Sequence, residues 1–170
     1  MHGHLKLTVL GPDGEVVDER EGDNVMCTAG LTVIANSLVW SGIQDQAANL
    51  GVTTATYLTP LWGAVGSGTG TVSASDTALF TELGRQTVGA GASTPATPSI
   101  NAQYIWLFYF PSPPVTWTVH EAGVFANGSS NNATIATAGI LLDHWAFTVP
   151  ITVTTSNTLI LQSSFTLAGM

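Results

Sequence analysis

The stretch TLILQSSFTL, residues 158–167, alternates apolar and polar side chains along most of its length. Two residues is the side-chain period of a β-strand, so this pattern puts the apolar residues on one face. That face consists of Leu159, Leu161, Phe165 and Leu167. A strand with one buried and one polar face is typical of an antiparallel sheet, and the stretch therefore predicts an antiparallel β-protein.

A second stretch, YIWLFYF at residues 104–110, is apolar or aromatic throughout. A continuous run of this length predicts a strand that is buried on both faces, or on one face and in a contact with another subunit. The proline-rich segment at residues 111–114 ends the strand. The candidate core or oligomer contacts are Tyr104, Trp106, Phe108, Phe110 and Trp117.

Shorter elements are predicted around these two strands. Alternating residues on both sides of the turn-forming Pro12–Gly14 indicate an N-terminal hairpin over residues 4–21. Helical spacing predicts one short helix over about residues 28–40 and a second over residues 77–83, which Asp76 would cap.

The fold class follows from the order of these elements. About eight strands joined by short turns, with two short helices, predict a mainly β fold, either an antiparallel β-sandwich or a jelly-roll-like barrel. The 170 residues are within the usual size of one domain, so we expect a single domain over residues 1–170. Within it, the hairpin at residues 4–21 is a candidate extended arm.

The charge content restricts the partners of this protein. Only 8% of the residues are charged, against about 25% in ordinary soluble domains. Such a surface is either neutral and polar or covered by neighbouring subunits. The only cations are Lys6, Arg20 and Arg85, and the net charge is −8, so we expect no binding to nucleic acid or to an anionic membrane. Six acids at residues 13–23 predict a solvated hairpin edge or a docking patch for a basic partner.

Motifs with known chemistry are weak in this chain. His2 and His4 have strand spacing for a metal site but stand alone at the N-terminus. The glycines of residues 66–70 have neither the third glycine of a dinucleotide loop nor the Lys-Ser/Thr of a phosphate loop. The pair Asp143-His144 is predicted to lie in a turn, and Cys27 to be a buried apolar residue. We therefore expect no catalytic site, no metal and no cofactor.

Two motifs carry a resemblance to a known group of proteins. The segment SASDTALFTELGR, residues 73–85, follows a Gly/Thr loop and precedes VHEAGVF, residues 119–125, and a Thr-rich C-terminal β segment. This order resembles small virion structural proteins of tailed bacteriophages, of the head-decoration and tail-accessory type. The opening hairpin and the apolar GLTVIAN segment, residues 30–36, are similar to that group as well.

The resemblance implies a non-enzymatic structural protein of the virion, made in the host cytoplasm. The first hypothesis is a capsid decoration (cement) protein that forms a homotrimer and stabilises the head shell by binding the major capsid protein. A tail, baseplate or fibre accessory subunit, bound to tail proteins, is the alternative.

Two further predictions concern individual residues. Because cations are so few, Arg85 is expected to pair with Glu82 and to tie its segment to the sheet through Glu121. A function of a different class, a carbohydrate- or receptor-binding module, would use exposed tryptophans as stacking platforms. Its candidate residues are Trp40, Trp62 and Trp145.

Overall fold

The computed structural model describes residues 2–34, 61–88, 94–95, 101–126 and 139–168. This part of the chain contains ten β-strands, together with one helix, α1, at residues 28–34. The strands are β1 (His2–Leu10), β2 (Val16–Asp23), β3 (Val25–Met26), β4 (Leu61–Gly66), β5 (Glu82–Thr87), β6 (Thr94–Pro95), β7 (Asn101–Phe110), β8 (Trp117–Ala126), β9 (Ile140–Val153) and β10 (Thr158–Ala168). The protein is thus mainly β, as predicted.

The strands form two antiparallel sheets of five strands each. Sheet A has the order β2-β1-β10-β7-β6, and sheet B has the order β3-β9-β8-β4-β5. The chain crosses between the sheets at both edges. Only Asn24 separates β2 of sheet A from β3 of sheet B, and Val88, just after β5, bridges to Phe108 of β7. These crossings cover strand edges that would otherwise be open to pairing with other chains.

The main apolar core lies between the two sheets. Sheet A contributes alternate residues of β1, β7 and β10, and sheet B contributes alternate residues of β8 and β9. Leu159 and Leu161 have no exposed surface and Phe165 has almost none, which confirms the predicted inner face of β10. The side chain of Leu167 lies outside the described residues.

The aromatic strand β7 divides its side chains between the two faces of sheet A. Trp106, Phe108 and Phe110 point into the core, where the Trp106 ring lies 4.7 Å from that of Phe165. Trp117 is half-buried against this core, and the side chain of Tyr104 lies outside the described residues. Of the predicted aromatic contacts, Trp106, Phe108, Phe110 and Trp117 are therefore core contacts, and the residues between those of β7 face outward.

The N-terminal hairpin is part of sheet A and does not project as an arm. β1 pairs along its whole length with β10 on one side and with β2 on the other. Leu5, Leu7 and Val9 of β1 are fully buried in the core. The extended arm proposed from the sequence is therefore wrong, because the apolar face of β1 is needed to complete the core.

The second predicted helix is also wrong. Residues 77–81 are irregular, and strand β5 begins at Glu82. The N–H groups of Phe80 and Thr81 donate to the carboxylate of Glu121 on β8 instead of to helical carbonyls. Tertiary hydrogen bonds outweigh the local helix signal here. The first predicted helix is present at residues 28–34, and its predicted remainder lies outside the described residues.

Candidate functional site

A second apolar cluster lies on the outer face of sheet B. It contains Cys27 and Leu79 packed on outward-facing residues of the central strands, namely Trp62, Ala64, Phe125 and Leu141. The β4–β5 loop, residues 67–81, supplies Leu79 and is tied to the start of α1 by the Thr28 N–H, which donates to the Ala74 carbonyl at 2.8 Å. This loop covers a set of ionisable side chains that point outward from β8 and β9.

Glu121 of β8 accepts four hydrogen bonds beneath the β4–β5 loop. The N–H groups of Gly68 and Thr81 donate to Oε1 at 2.9 and 2.7 Å, and that of Phe80 donates to Oε2 at 2.8 Å. The fourth donor, His144 Nε2, lies 2.9 Å from Oε2. Burial alone would raise the pKa of Glu121, but these hydrogen bonds outweigh it and hold the pKa below its usual value. Glu121 is therefore a buried carboxylate anion.

His144 of β9 lies between two carboxylates and has 0% of its side chain exposed. Its Nδ1 is 2.7 Å from Oδ2 of Asp76 in the loop, and its Nε2 contacts Glu121. A neutral imidazole has one N–H, whereas the imidazolium has two and can donate to both carboxylates. Burial lowers the pKa of His144, but the bonds to Glu121 and Asp76 outweigh burial and raise it. The geometry thus favours the charged ring.

The glycines of the β4–β5 loop allow it to approach Glu121 closely. A Cβ atom on Gly68 would lie 2.6 Å from Glu121 Oε1, and one on Gly66 would contact the same oxygen. Real Cβ atoms are not found this close to an oxygen, so a side chain at either position would push the loop outward. The sequence has neither complete motif of a nucleotide- or phosphate-binding loop here, and the anion that this loop binds is the protein's own Glu121.

Arg85 and Glu82 form a second buried ion pair on β5. Nε and Nη2 of Arg85 each lie 2.6 Å from a Glu82 carboxylate oxygen, and the two side chains are 0% and 1% exposed. A β-bulge at Leu83 brings both side chains to one side of the strand. The guanidinium also lies 4.4 Å from the ring centroid of Phe125 on β8. The structure thus pairs Arg85 with Glu82 and ties it to the sheet through Phe125, while Glu121 binds His144.

Asp143 forms a third polar contact, on the inner side of sheet B. Its carboxylate accepts from the Val124 N–H at 2.8 Å, from Ser163 Oγ of sheet A at 3.2 Å, and from Asn24 Nδ2 at 2.7 Å. Burial raises its pKa to about 7, although these bonds and the nearby His144 oppose the shift. Asp143 and His144 are buried in the middle of β9, so the predicted turn at this pair is wrong.

The arrangement is suited to holding the fold together. Glu121 and His144 have no exposed surface, so a substrate cannot reach either group. The described residues contain no group of three or more side chains that could hold a metal ion. Cys27 is fully buried, as predicted, and burial raises its thiol pKa to about 12, which suppresses the reactive thiolate.

Sequence reasoning missed His144 as the centre of this network. The sequence nevertheless contained a signal for the other members of the network. The two motifs that resemble phage virion proteins, residues 73–85 and 119–125, contain Asp76, Glu82, Arg85 and Glu121. The structure brings these separate motifs together on one face of sheet B. It also buries Trp62 and Trp145, which removes them as stacking platforms for a sugar, while Trp40 lies outside the described residues.

This chain has no match among protein families, characterised proteins or solved structures. Within the described ranges, no helix is long and apolar enough to cross a membrane.

Proposed function

We propose that this protein is a non-enzymatic structural subunit of a tailed-bacteriophage virion, with capsid decoration as its specific role. The observation that supports this best is the burial of the shared motif residues. Glu82, Arg85 and Glu121 form internal ion pairs and hydrogen bonds, which are what a rigid subunit needs. In this proposal the two sheets form a sandwich that presents its outer faces to neighbours.

A non-catalytic role agrees with the groove beside β5. The groove has a volume of about 240 Å³ and is lined mainly by Leu83, Phe110, the prolines of residues 111–114 and Trp117. Neither a carboxylate nor a histidine contributes to this lining. General acid-base chemistry needs such groups within hydrogen-bond reach of a substrate, and this groove supplies none.

The outer face of sheet A is the proposed subunit contact. The residues of β7 that point away from the core, Ile105, Leu107 and Tyr109, are all uncharged, and Tyr109 is 53% exposed opposite Ile160 of β10. An uncharged apolar surface can be covered by another subunit without the cost of desolvating charges. The acidic strand β2 lies at the other edge of the sheet and is proposed to face the head shell or solvent.

The test combines solution mass with head binding. Light scattering after size-exclusion chromatography should give three times the mass of one chain, and the protein should co-sediment with purified undecorated phage heads. Tyr109→Glu should weaken the trimer, whereas Val149→Glu, a matched change at another exposed apolar residue, should not. Binding to isolated tails instead of heads would replace decoration by the tail-accessory role. A monomer that binds neither would refute the proposal.

A further inference from the structure

The β4–β5 loop is held over sheet B by a small number of polar contacts. Three of its amides donate to Glu121, and its Asp76 carboxylate binds His144. Glu121 belongs to β8 and His144 to β9, so the imidazole ring is the link between a carboxylate of the loop and a carboxylate of the sheet. The Phe80 ring lies 4.8 Å from the His144 ring at an angle of 50°, on the loop side of the site.

We propose that this cluster is a pH-sensitive latch, in which protonated His144 keeps the β4–β5 loop closed and loss of that proton releases the loop from sheet B. Release would uncover the second apolar cluster, including Cys27 beneath Leu79. The latch is a property of the described fold and does not depend on the proposed role in a virion.

The proton count explains why the loop responds. With one N–H left on the ring, either Asp76 or Glu121 faces a nitrogen lone pair and loses its donor. Glu121 stays on β8, and its bonds to the amides of Gly68, Phe80 and Thr81 must then hold the loop without the contact between Asp76 and His144. Asp76 is 15% exposed and keeps a donor from its own loop, the N–H of Ser73 at 2.9 Å, so loss of the His144 bond separates this carboxylate from sheet B. Opening therefore begins at the Asp76 end.

The two carboxylates that contact the ring favour its charged form, and burial opposes it. Glu121 faces it from β8, Asp76 from the loop, and Asp143 precedes it on β9. Cys27, at the start of α1, feels the charges of Asp143 and Asp76 but stays a neutral thiol.

The direction of the pH response follows from the shifted His144. Burial lowers its pKa, and the hydrogen bonds to Glu121 and Asp76 more than compensate, so the folded value lies above that of the unfolded chain. A raised histidine pKa contributes stability that is complete below the unfolded value of about 6.5 and is lost as the pH rises through the folded value. The latch therefore closes in acid and opens in alkali.

Amide hydrogen exchange of the full chain between pH 6 and 9.5 tests the latch. Protection factors, which remove the intrinsic pH dependence of exchange, should fall for Gly68, Phe80 and Thr81 by up to tenfold per pH unit between about 6.5 and the folded pKa of His144, and should level off above it. Core amides of Leu7 and Leu161 should stay better protected than the three loop amides across this range, because they exchange through larger openings. Cys27 is the only cysteine, so its rate of modification, divided by the rate in unfolded chain at the same pH, should rise in parallel.

The matched variant is Asp76→Asn. An asparagine NH₂ can donate to Nδ1 of a neutral imidazole while Nε2–H still donates to Glu121, so this variant should keep the loop closed and remove the pH dependence. Asp13→Asn, on the exposed hairpin turn, should behave like the unchanged protein. The latch is refuted if the three amides keep constant protection across the range, if they exchange no faster than the core amides, or if Asp76→Asn retains the full response.

Discussion

Replacing Glu121 by glutamine is the most direct test of the buried network, because the two side chains have the same size and shape. The carboxylate accepts four hydrogen bonds, two on each oxygen. A glutamine offers one acceptor oxygen, and its NH₂ group must then face the donors of the other side. The variant therefore tests hydrogen bonding without creating a cavity.

The expected loss can be worked out from this geometry. If the glutamine NH₂ takes the Oε2 position, a neutral His144 can accept from it, but the Phe80 N–H loses its acceptor. In the opposite orientation, both Gly68 and Thr81 lose theirs. Each hydrogen bond to a charged group contributes about 1.5–3 kcal/mol, and a stranded buried donor costs a similar amount. We expect Glu121→Gln to lower the free energy of unfolding by about 3 kcal/mol or more, a large fraction of the stability of an ordinary domain.

Urea unfolding at pH 7, followed by tryptophan fluorescence and by circular dichroism, measures this loss as a shift of the midpoint at constant slope. The control is Glu19→Gln on the exposed hairpin, where Glu19 pairs with Lys6 at 2.9 Å. A surface pair of this kind contributes about 1 kcal/mol or less. A loss below 1 kcal/mol for Glu121→Gln, or equal losses for the two variants, would show that the network does not stabilise the fold as argued.

Three further predictions concern the same face of the molecule. Arg85→Lys should lower the free energy of unfolding by about 2 kcal/mol in urea titrations, since lysine cannot form the bidentate ion pair with buried Glu82. The control Arg20→Lys, on the surface, should change it by less than about 0.5 kcal/mol. Gly123→Ala should lower the free energy of unfolding by about 1–3 kcal/mol in a thermal melt, because its Cβ would lie 2.6 Å from the backbone oxygen of the neighbouring strand. The control Gly70→Ala should be tolerated, since only the 42% exposed Phe80 ring must turn aside. Burial raises the pKa of Asp143 to about 7, so the folded chain keeps a proton that the unfolded chain loses near pH 4. The free energy of unfolding should therefore fall as the pH rises from about 4 to 7. The urea midpoints of Asp143→Asn should lack this slope, and an unchanged slope would contradict the assignment.

The elements that sequence reasoning predicted well are those with a strong local pattern. The hairpin of β1 and β2, the aromatic strand β7 and the C-terminal strand β10 all have periodicity or composition that a strand alone explains. The elements it missed have local signals that the tertiary structure overrides. Residues 77–81 look helical in sequence, but their amides satisfy a carboxylate 40 residues further along the chain.

The candidate site shows the same division at the level of single residues. The pairing of Arg85 with Glu82 could be foreseen because only three cations are present and the acid is three positions away. The role of His144 could not, because its partners Asp76 and Glu121 are 68 and 23 positions distant. A histidine next to an aspartate is compatible with a surface turn until the pairing of β8 with β9 shows that both are buried.

The sequence by itself determined that this protein is a mainly antiparallel β-protein with few charges, because side-chain alternation and composition are local properties that can be counted. Only the tertiary structure decided which charges lie inside. Strand pairing brings groups from the β4–β5 loop, β8 and β9 within hydrogen-bond distance, and a buried charge is stable only when such distant partners meet it. The register of the strands, which no single segment encodes, therefore decides where Glu121, His144 and Asp76 meet.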